Sequence, residues 1–178
     1  MTKLVIKHGG IVDDYSGDGL KADFGVPFSR TTEAEIRQDA VNAVNCALAM
    51  EREIKRLDTF WQERKLPTAN MRIGIFTGPV VAGSLGSTKR LKYTTIGDTV
   101  NIASRLESFS KNLTGFDFTN RACRVLIGES TLRYLGNQFR TEKVGELSLK
   151  GKAEKITAHC LVGRVDEHSN VIEQEKRV

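Results

Sequence analysis

Asn101 and Arg105 stand four residues apart in the stretch Lys92–Glu107, KYTTIGDTVNIASRLE. This stretch reads as a short strand, a Gly-Asp break and a helix. Residues i and i+4 share one face of a helix, one turn above the other. The neighbouring stripe Ile102, Leu106, Phe109 and Leu113 is apolar at helical spacing and is expected to face the core. An amide and a guanidinium are then held side by side on a packed support. The pair suits an anionic ligand, because Arg presents a planar fork of donors to phosphate. It also fits a solvated helix face carrying a structural Arg, so residues elsewhere must decide.

Three other segments carry groups that could act with this pair. Asp18 lies in Gly17-Asp18-Gly19, a tight turn between two strands. A carboxylate beside glycine can approach a hard cation, and magnesium takes one or two carboxylates together with substrate phosphate oxygens. The same tripeptide also serves as a plain turn. Lys150 precedes Gly151 near a strand end in ELSLKGK, where it can reach a terminal phosphate or simply meet solvent. The glycines of Gly74–Gly86 bound two apolar strands, unlike a phosphate-cradling loop that opens a helix. That segment is expected to be a structural hairpin arm available for dimer contact.

The elements that must position these groups follow from pattern. Residues 1–8 form the last turns of a helix stopped by Gly9-Gly10. Strands are expected at 11–16 and 20–26, then a long amphipathic helix opened by the Thr32-x-x-Glu35 capping box. Further strands are expected at 71–77, 80–85, 123–127, 139–149 and 155–162, with a short helix at 129–135. Residues 163–178 are polar and aperiodic and read as a tail, leaving one domain at 1–162. Strands mixed with a few helices imply an α+β fold with helices packed on one face of the sheet.

Composition narrows the partners. The 178 residues, 39% hydrophobic and 28% charged, suffice for one core. The 27 basic and 22 acidic residues give +5, scattered without a basic block or an aromatic stacking platform. That distribution argues against nucleic acid and fits affinity for a polyphosphate. Cys46, Cys123 and Cys160 match no zinc spacing and cannot all pair, so a reducing cytoplasm is expected. No apolar run approaches the length of a membrane span.

In order and spacing, GDGLKADFG (17–25), GPVVAG (78–83), IGDTVNIASRLE (96–107) and LKG (149–151) resemble the catalytic domain of class III adenylate and guanylate cyclases. The resemblance covers about residues 1–162 and is most specific at IGDTVN-x-A-x-R-L-E. It implies a ferredoxin-like fold with a mostly antiparallel central sheet, a head-to-tail homodimer and active sites shared across the interface. It implies conversion of ATP, or of GTP, to the cyclic nucleotide and pyrophosphate in signal transduction, with Mg2+ or Mn2+. By resemblance Asp18 binds metal, Asn101 positions the ribose, Arg105 stabilises the phosphoryl transition state and Lys150 binds the triphosphate. Asp18 would come from one subunit, and Asn101, Arg105 and Lys150 from the other.

Two departures shape the expectations. The family places a first metal aspartate on an opening strand, followed by two helices, before the segment that begins here. The chain is therefore expected to be a partial domain whose lone Asp18 holds two ions poorly, with little or no activity by itself. The parent protein could be membrane-anchored through upstream segments. At the base, adenylate-forming members usually carry Lys four residues before the metal aspartate and guanylate-forming members Glu; here that position is Asp14. The second base position, seven residues before Asn101, is Thr94, where ATP-selective members often have Asp or Thr and guanylate-forming members usually Cys. Asp14 only accepts hydrogen bonds and Thr94 donates or accepts; Thr94 favours ATP, with GTP the alternative. Asp13 and Asp14 project to opposite sides of a strand, so at most one faces the pocket. A non-catalytic cyclase-like module for dimerisation or nucleotide binding is the rival expectation.

Overall fold

The Thr32-x-x-Glu35 box opens the longest helix, and the rest of the fold is arranged on it. A computed structural model describes residues 1–87, 89–109, 122–148 and 155–165. Thr32 Oγ1 accepts from the Glu35 N–H at 3.3 Å, and Glu35 Oε2 accepts from the Thr32 N–H at 3.0 Å. Two helix-terminal donors are thus satisfied reciprocally. The helix α2 runs over Glu33–Gln62, after α1 (Thr2–Lys7), β1 (Ile11–Ser16) and β2 (Gly19–Asp23). It is followed by β3 (Met71–Ile75), β4 (Val81–Ser87), β5 (Arg90–Ile96), α3 (Asp98–Ser108), β6 (Cys123–Gly128), α4 (Glu129–Leu135), β7 (Phe139–Ser148) and β8 (Lys155–Arg164).

The central sheet has the order β3-β6-β8-β7. Strands β3 and β6 pair in parallel, from Met71 opposite Cys123 to Ile75 opposite Ile127; the other two pairings are antiparallel. Strand side chains alternate between faces. Cys123, Val125 and Ile127 of β6 therefore pack with Ala40, Val44, Ala47 and Leu48 of α2 and Leu135 of α4. Leu126 points the other way, into a cluster with Ile102 and Leu106 of α3 and Ala158 and Cys160 of β8. Helices thus cover both faces of the sheet, where the sequence pattern suggests one. The short apolar strand β6 is buried on both sides, and such a run does not reveal how many helices cover it.

Gly74 explains how close α3 can lie. A Cβ there would stand 2.1 Å from the Ala103 carbonyl oxygen and 2.4 Å from the Glu107 nitrogen. Only a residue without a side chain lets the backbone of α3 settle on β3.

Two hairpins complete the molecule. β1 and β2 pair with a register irregularity between Val12 and Asp14. Val12, Leu20, Ala22 and Phe24 pack this hairpin against Val5 of α1 and Cys46 and Met50 of α2. β4 and β5 form a separate arm, registered from Val81 opposite Ile96 to Ser87 opposite Arg90. The pairing of Gly86 and Ser87 shortens the turn expected after Leu85. Val81, Leu91, Tyr93 and Ile96 are exposed along the arm.

All three cysteines are buried and none is in a disulfide. Burial pushes the Cys46 thiol up to about 11 and the Cys123 thiol up to about 12. Among the described residues no helix is long and apolar enough to cross a membrane. β8 runs to Arg164, past the expected boundary at 162, and most of the expected tail lies outside the described residues. Leu113 and Lys150 also lie outside them.

Candidate functional site

Helix α3 starts after Gly97, whose φ of +136° is a conformation that side-chain-bearing residues avoid. The Thr99 hydroxyl donates to the Pro79 carbonyl at 2.6 Å and ties the helix start to the segment before β4. Ile102 and Leu106 are buried, and the adjoining face of the helix carries Asn101, exposed, and Arg105, half-buried. Arg105 Nη1 donates to the Ser148 carbonyl at 3.4 Å, at the end of β7. The helix therefore does what its spacing predicts: its apolar stripe is inward, and an amide and a guanidinium are left toward solvent.

Asp18 occupies the β1–β2 turn. Gly17, at φ +61°, supplies the left-handed residue, and its Cβ position has no atom within 4 Å. The Asp18 carboxylate is exposed on an open turn. Among the described residues no hydrogen bond or ion pair joins it to Asn101 or Arg105.

A charged junction joins the hairpin to the arm. Asp13 is ion-paired to Lys21, and its side chain is 3% exposed. Its Oδ2 accepts from the Thr94 hydroxyl at 2.8 Å and from the Thr95 N–H at 3.4 Å. Lys21 also donates to the Thr95 carbonyl at 2.6 Å and to Thr94 Oγ1 at 3.4 Å. The Thr95 hydroxyl, buried, donates to Asp23 Oδ2 at 2.9 Å. Asp14 turns outward, accepting from the Tyr15 N–H at 2.9 Å and from Lys92 at 2.6 Å.

Burial pushes the Asp13 carboxyl up, but hydrogen bonds from Lys21, Thr94 and Thr95 outweigh it and hold the group below its ordinary value. Asp14 is lowered by Lys92 first and by the Tyr15 N–H second. In Asp23 burial wins over the Thr95 bond and the charge of Lys21, and the carboxyl is raised. One junction thus holds a firmly ionised carboxylate and a reluctant one.

Of the residues singled out in the sequence, the structure sets Asn101 and Arg105 together on α3. It brings Thr94 to Asp13 rather than directly to Asp14, and Asp14 to Lys92. Lys21, Asp23, Thr95 and Lys92 are absent from the sequence expectation, and Asp13 enters it only as the strand neighbour of Asp14. Lys92 and Thr94 share one face of β5, and Lys21 and Asp23 one face of β2. That alternation of polar residues on otherwise apolar strands is the signal that could have found them.

Among the described residues no group of three or more His, Cys, Asp or Glu side chains could hold a metal. Asp18 fits an ion that arrives with phosphate oxygens completing its shell, rather than a resident ion caged by protein. The arrangement as a whole can bind a phosphorylated ligand by its anionic end and meet a polar ring at the charged junction.

Comparison with known proteins gives the same direction. The family model of the adenylate and guanylate cyclase catalytic domain matches residues 16–163. Adenylate cyclase 1 of Rhizobium meliloti (strain 1021) is 30% identical over 164 residues, covering 92% of this chain and 23% of that protein. The chain thus spans about a quarter of that curated relative's length. The crystal structure of the adenylyl cyclase CyaB from P. aeruginosa superposes with a TM-score of 0.77 at 28% identity, covering 95% of this chain and 79% of that one. The guanylate cyclase domain of RhGC from Catenaria anguillulae, in complex with GTP, gives 0.70 at 29% identity over 91% of this chain and 77% of that one.

Proposed function

The chain belongs to the adenylate and guanylate cyclase catalytic-domain family, and from that premise we propose that it converts ATP to 3′,5′-cyclic AMP and pyrophosphate as part of a homodimer. The observation that carries the proposal is the Asn101–Arg105 pair facing outward on a helix whose other face is locked into the core. The 3′-hydroxyl gives up its proton to solvent as its oxygen bonds to the α-phosphorus, the bond from the α-phosphorus to the oxygen bridging to the β-phosphate breaks, and pyrophosphate leaves with that oxygen. Asn101 orients the ribose so that this attack is in line. Arg105 places its fixed positive charge where negative charge grows on the α-phosphoryl oxygens. Lys150 holds the triphosphate.

Asp18 of the second subunit would hold the divalent ion. When bound, Mg2+ or Mn2+ would neutralise phosphate charge and favour the nucleophile. Asp18 supplies one carboxylate, so low turnover is expected of these 178 residues. The exposed apolar arm supports pairing of two copies: Val81 and Leu91 are 67% and 64% exposed, a hydrophobic surface of the kind interfaces cover.

Thr94 and Asp14 support placement of the base at the charged junction. Thr94 favours adenine. GTP is the second possibility, because Asp14 could accept from guanine N–H groups. The test is a product assay with Mn2+ or Mg2+, offering ATP and GTP separately and identifying products by mass. Cyclic AMP with pyrophosphate is expected from ATP. Cyclic GMP as the main product would replace the substrate assignment. ADP and phosphate as the products would replace cyclisation with hydrolysis.

A further inference from the structure

Hydrogen-bond capacity at the charged junction is unevenly spent. The Thr94 hydroxyl proton goes to Asp13 at 2.8 Å, which leaves that oxygen as an acceptor. Asp14, an ionised carboxylate, is an acceptor only. Lys21 directs its three N–H donors at Asp13, the Thr95 carbonyl and Thr94. Both groups proposed to meet the base can therefore accept, and the part-buried Lys21 has its donors committed.

The Watson–Crick edge of adenine cannot be read by acceptors alone, unlike the N1–H and N2–H donors of guanine. Adenine offers a donor, its 6-amino group, beside an acceptor, N1. The donor that the junction lacks stands at Lys92. Its ammonium lies 2.6 Å from Asp14 Oδ2 and 3.9 Å from Asp13 Oδ1, with the side chain 42% exposed. Asp13 Oδ1 is buried without a hydrogen-bond partner. A buried, unsatisfied acceptor favours keeping a cation close. The ammonium is thus held over the junction between two carboxylates, with one short partner and three donors. Lys92 also shares the face of β5 that carries Thr94.

We infer that Lys92 is a specificity-determining residue that donates to N1 of adenine while Asp14 accepts from the neighbouring 6-amino group. The inference rests on the proposed placement of the base at Asp14 and Thr94, and it adds the one contact that those two residues cannot make. The Lys92–Asp14 pair acts as an adjacent donor and acceptor facing an adjacent acceptor and donor.

The test compares equilibrium binding of ATP and 1-deaza-ATP, in which N1 is replaced by C–H while the 6-amino group stays. The full 178-residue chain is used, with divalent metal and negligible turnover. Wild type is expected to prefer ATP by about tenfold or more, the range for a hydrogen bond to a charged group. In Lys92→Met the preference falls to about one because ATP binding weakens to the level of 1-deaza-ATP; Lys92→Arg, which keeps a donor, retains most of it. Lys92 is part-exposed on the arm, and an unchanged circular dichroism melt checks that the fold is intact. A preference for ATP that survives in Lys92→Met overturns the role of Lys92 and leaves the nucleotide site standing. Equal weakening toward both nucleotides means that Lys92 acts through charge on the phosphates, which also overturns it. Tighter wild-type binding of GTP, lost in Lys92→Met while ATP binding is unaffected, moves the contact to guanine O6 and overturns the adenine assignment. Wild type binding neither nucleotide overturns both this inference and the proposed function.

Discussion

The hairpin–arm junction and helix α3 solve the same problem, holding polar groups in place, in opposite ways. At the junction, Asp13, Lys21, Thr94, Thr95 and Asp23 bind one another, and the polar groups are themselves the fastening. On α3 the fastening is apolar. Leu106 and Ile102 are buried against Leu126 and Cys160, and Gly74 admits the helix backbone. Among the described residues, Asn101 and Arg105 have little protein to bind apart from one long bond from Arg105 to Ser148. A helix secured by packing can present unspent donors to a ligand. A junction secured by charge has few to spare, which is why Lys92 stands out there.

The contrast can be broken at its largest effect first. Arg105→Ala removes a group that works on the ligand and contributes little to the core. Cyclase kcat, in the protein in which it is measurable, is expected to fall about 100- to 1000-fold, with the melting temperature nearly unchanged. A large drop in melting temperature would mean that Arg105 is a structural residue. The reverse is expected for Gly74→Ala. The new methyl meets the backbone of α3, which cannot rotate away as a side chain can. Destabilisation of about 1–3 kcal/mol or more is expected in denaturant unfolding, and a change within error would show that α3 does not depend on close approach to β3.

The junction is tested through pH. Asp13 has a folded carboxyl below its unfolded value of 3.8, so its stabilisation is present above that value and is lost as pH falls through the folded value. Asp13→Asn should therefore destabilise by about 1–3 kcal/mol at pH 7, with the difference from wild type vanishing in acid. Asp23 has the opposite sign. Its folded carboxyl is raised, so its favourable contribution is present below 3.8 and disappears as pH rises through the folded value. Asp23→Asn should be close to neutral or mildly stabilising at pH 7, the smallest effect of the set. Equal losses in the two variants across pH would show that the carboxylates are equivalent and that the junction is not polarised.

Where local pattern and tertiary outcome coincide, the sequence was legible. The capping box at Thr32 and Glu35 forms as its spacing requires, and the period of Ile102 and Leu106 sends Asn101 and Arg105 outward. The family resemblance carried by IGDTVNIASRLE agrees with the family match. The sequence did not reveal that α3 lies on the opposite face of the sheet from α2. A strand apolar on both sides, such as β6, carries no mark of what covers each side. Nor did it reveal the partner of Thr94. Simple alternation treats Asp13 and Asp14 as opposites, but the irregularity in register after Val12 changes which atoms meet. Long-range pairs such as Lys21 with Thr95 depend on how two hairpins dock, which no window along the chain contains.

The three buried cysteines have a practical consequence. Their thiols are shielded, and Cys46 and Cys123 are held at about 11 and about 12, so at neutral pH they offer almost no thiolate to an alkylating reagent. A single cysteine placed on the open β1–β2 turn would then be the one reactive handle on the native surface. A fluorophore or spin label attached there without removing any natural thiol could report how far the two hairpin tips lie from each other when two copies meet.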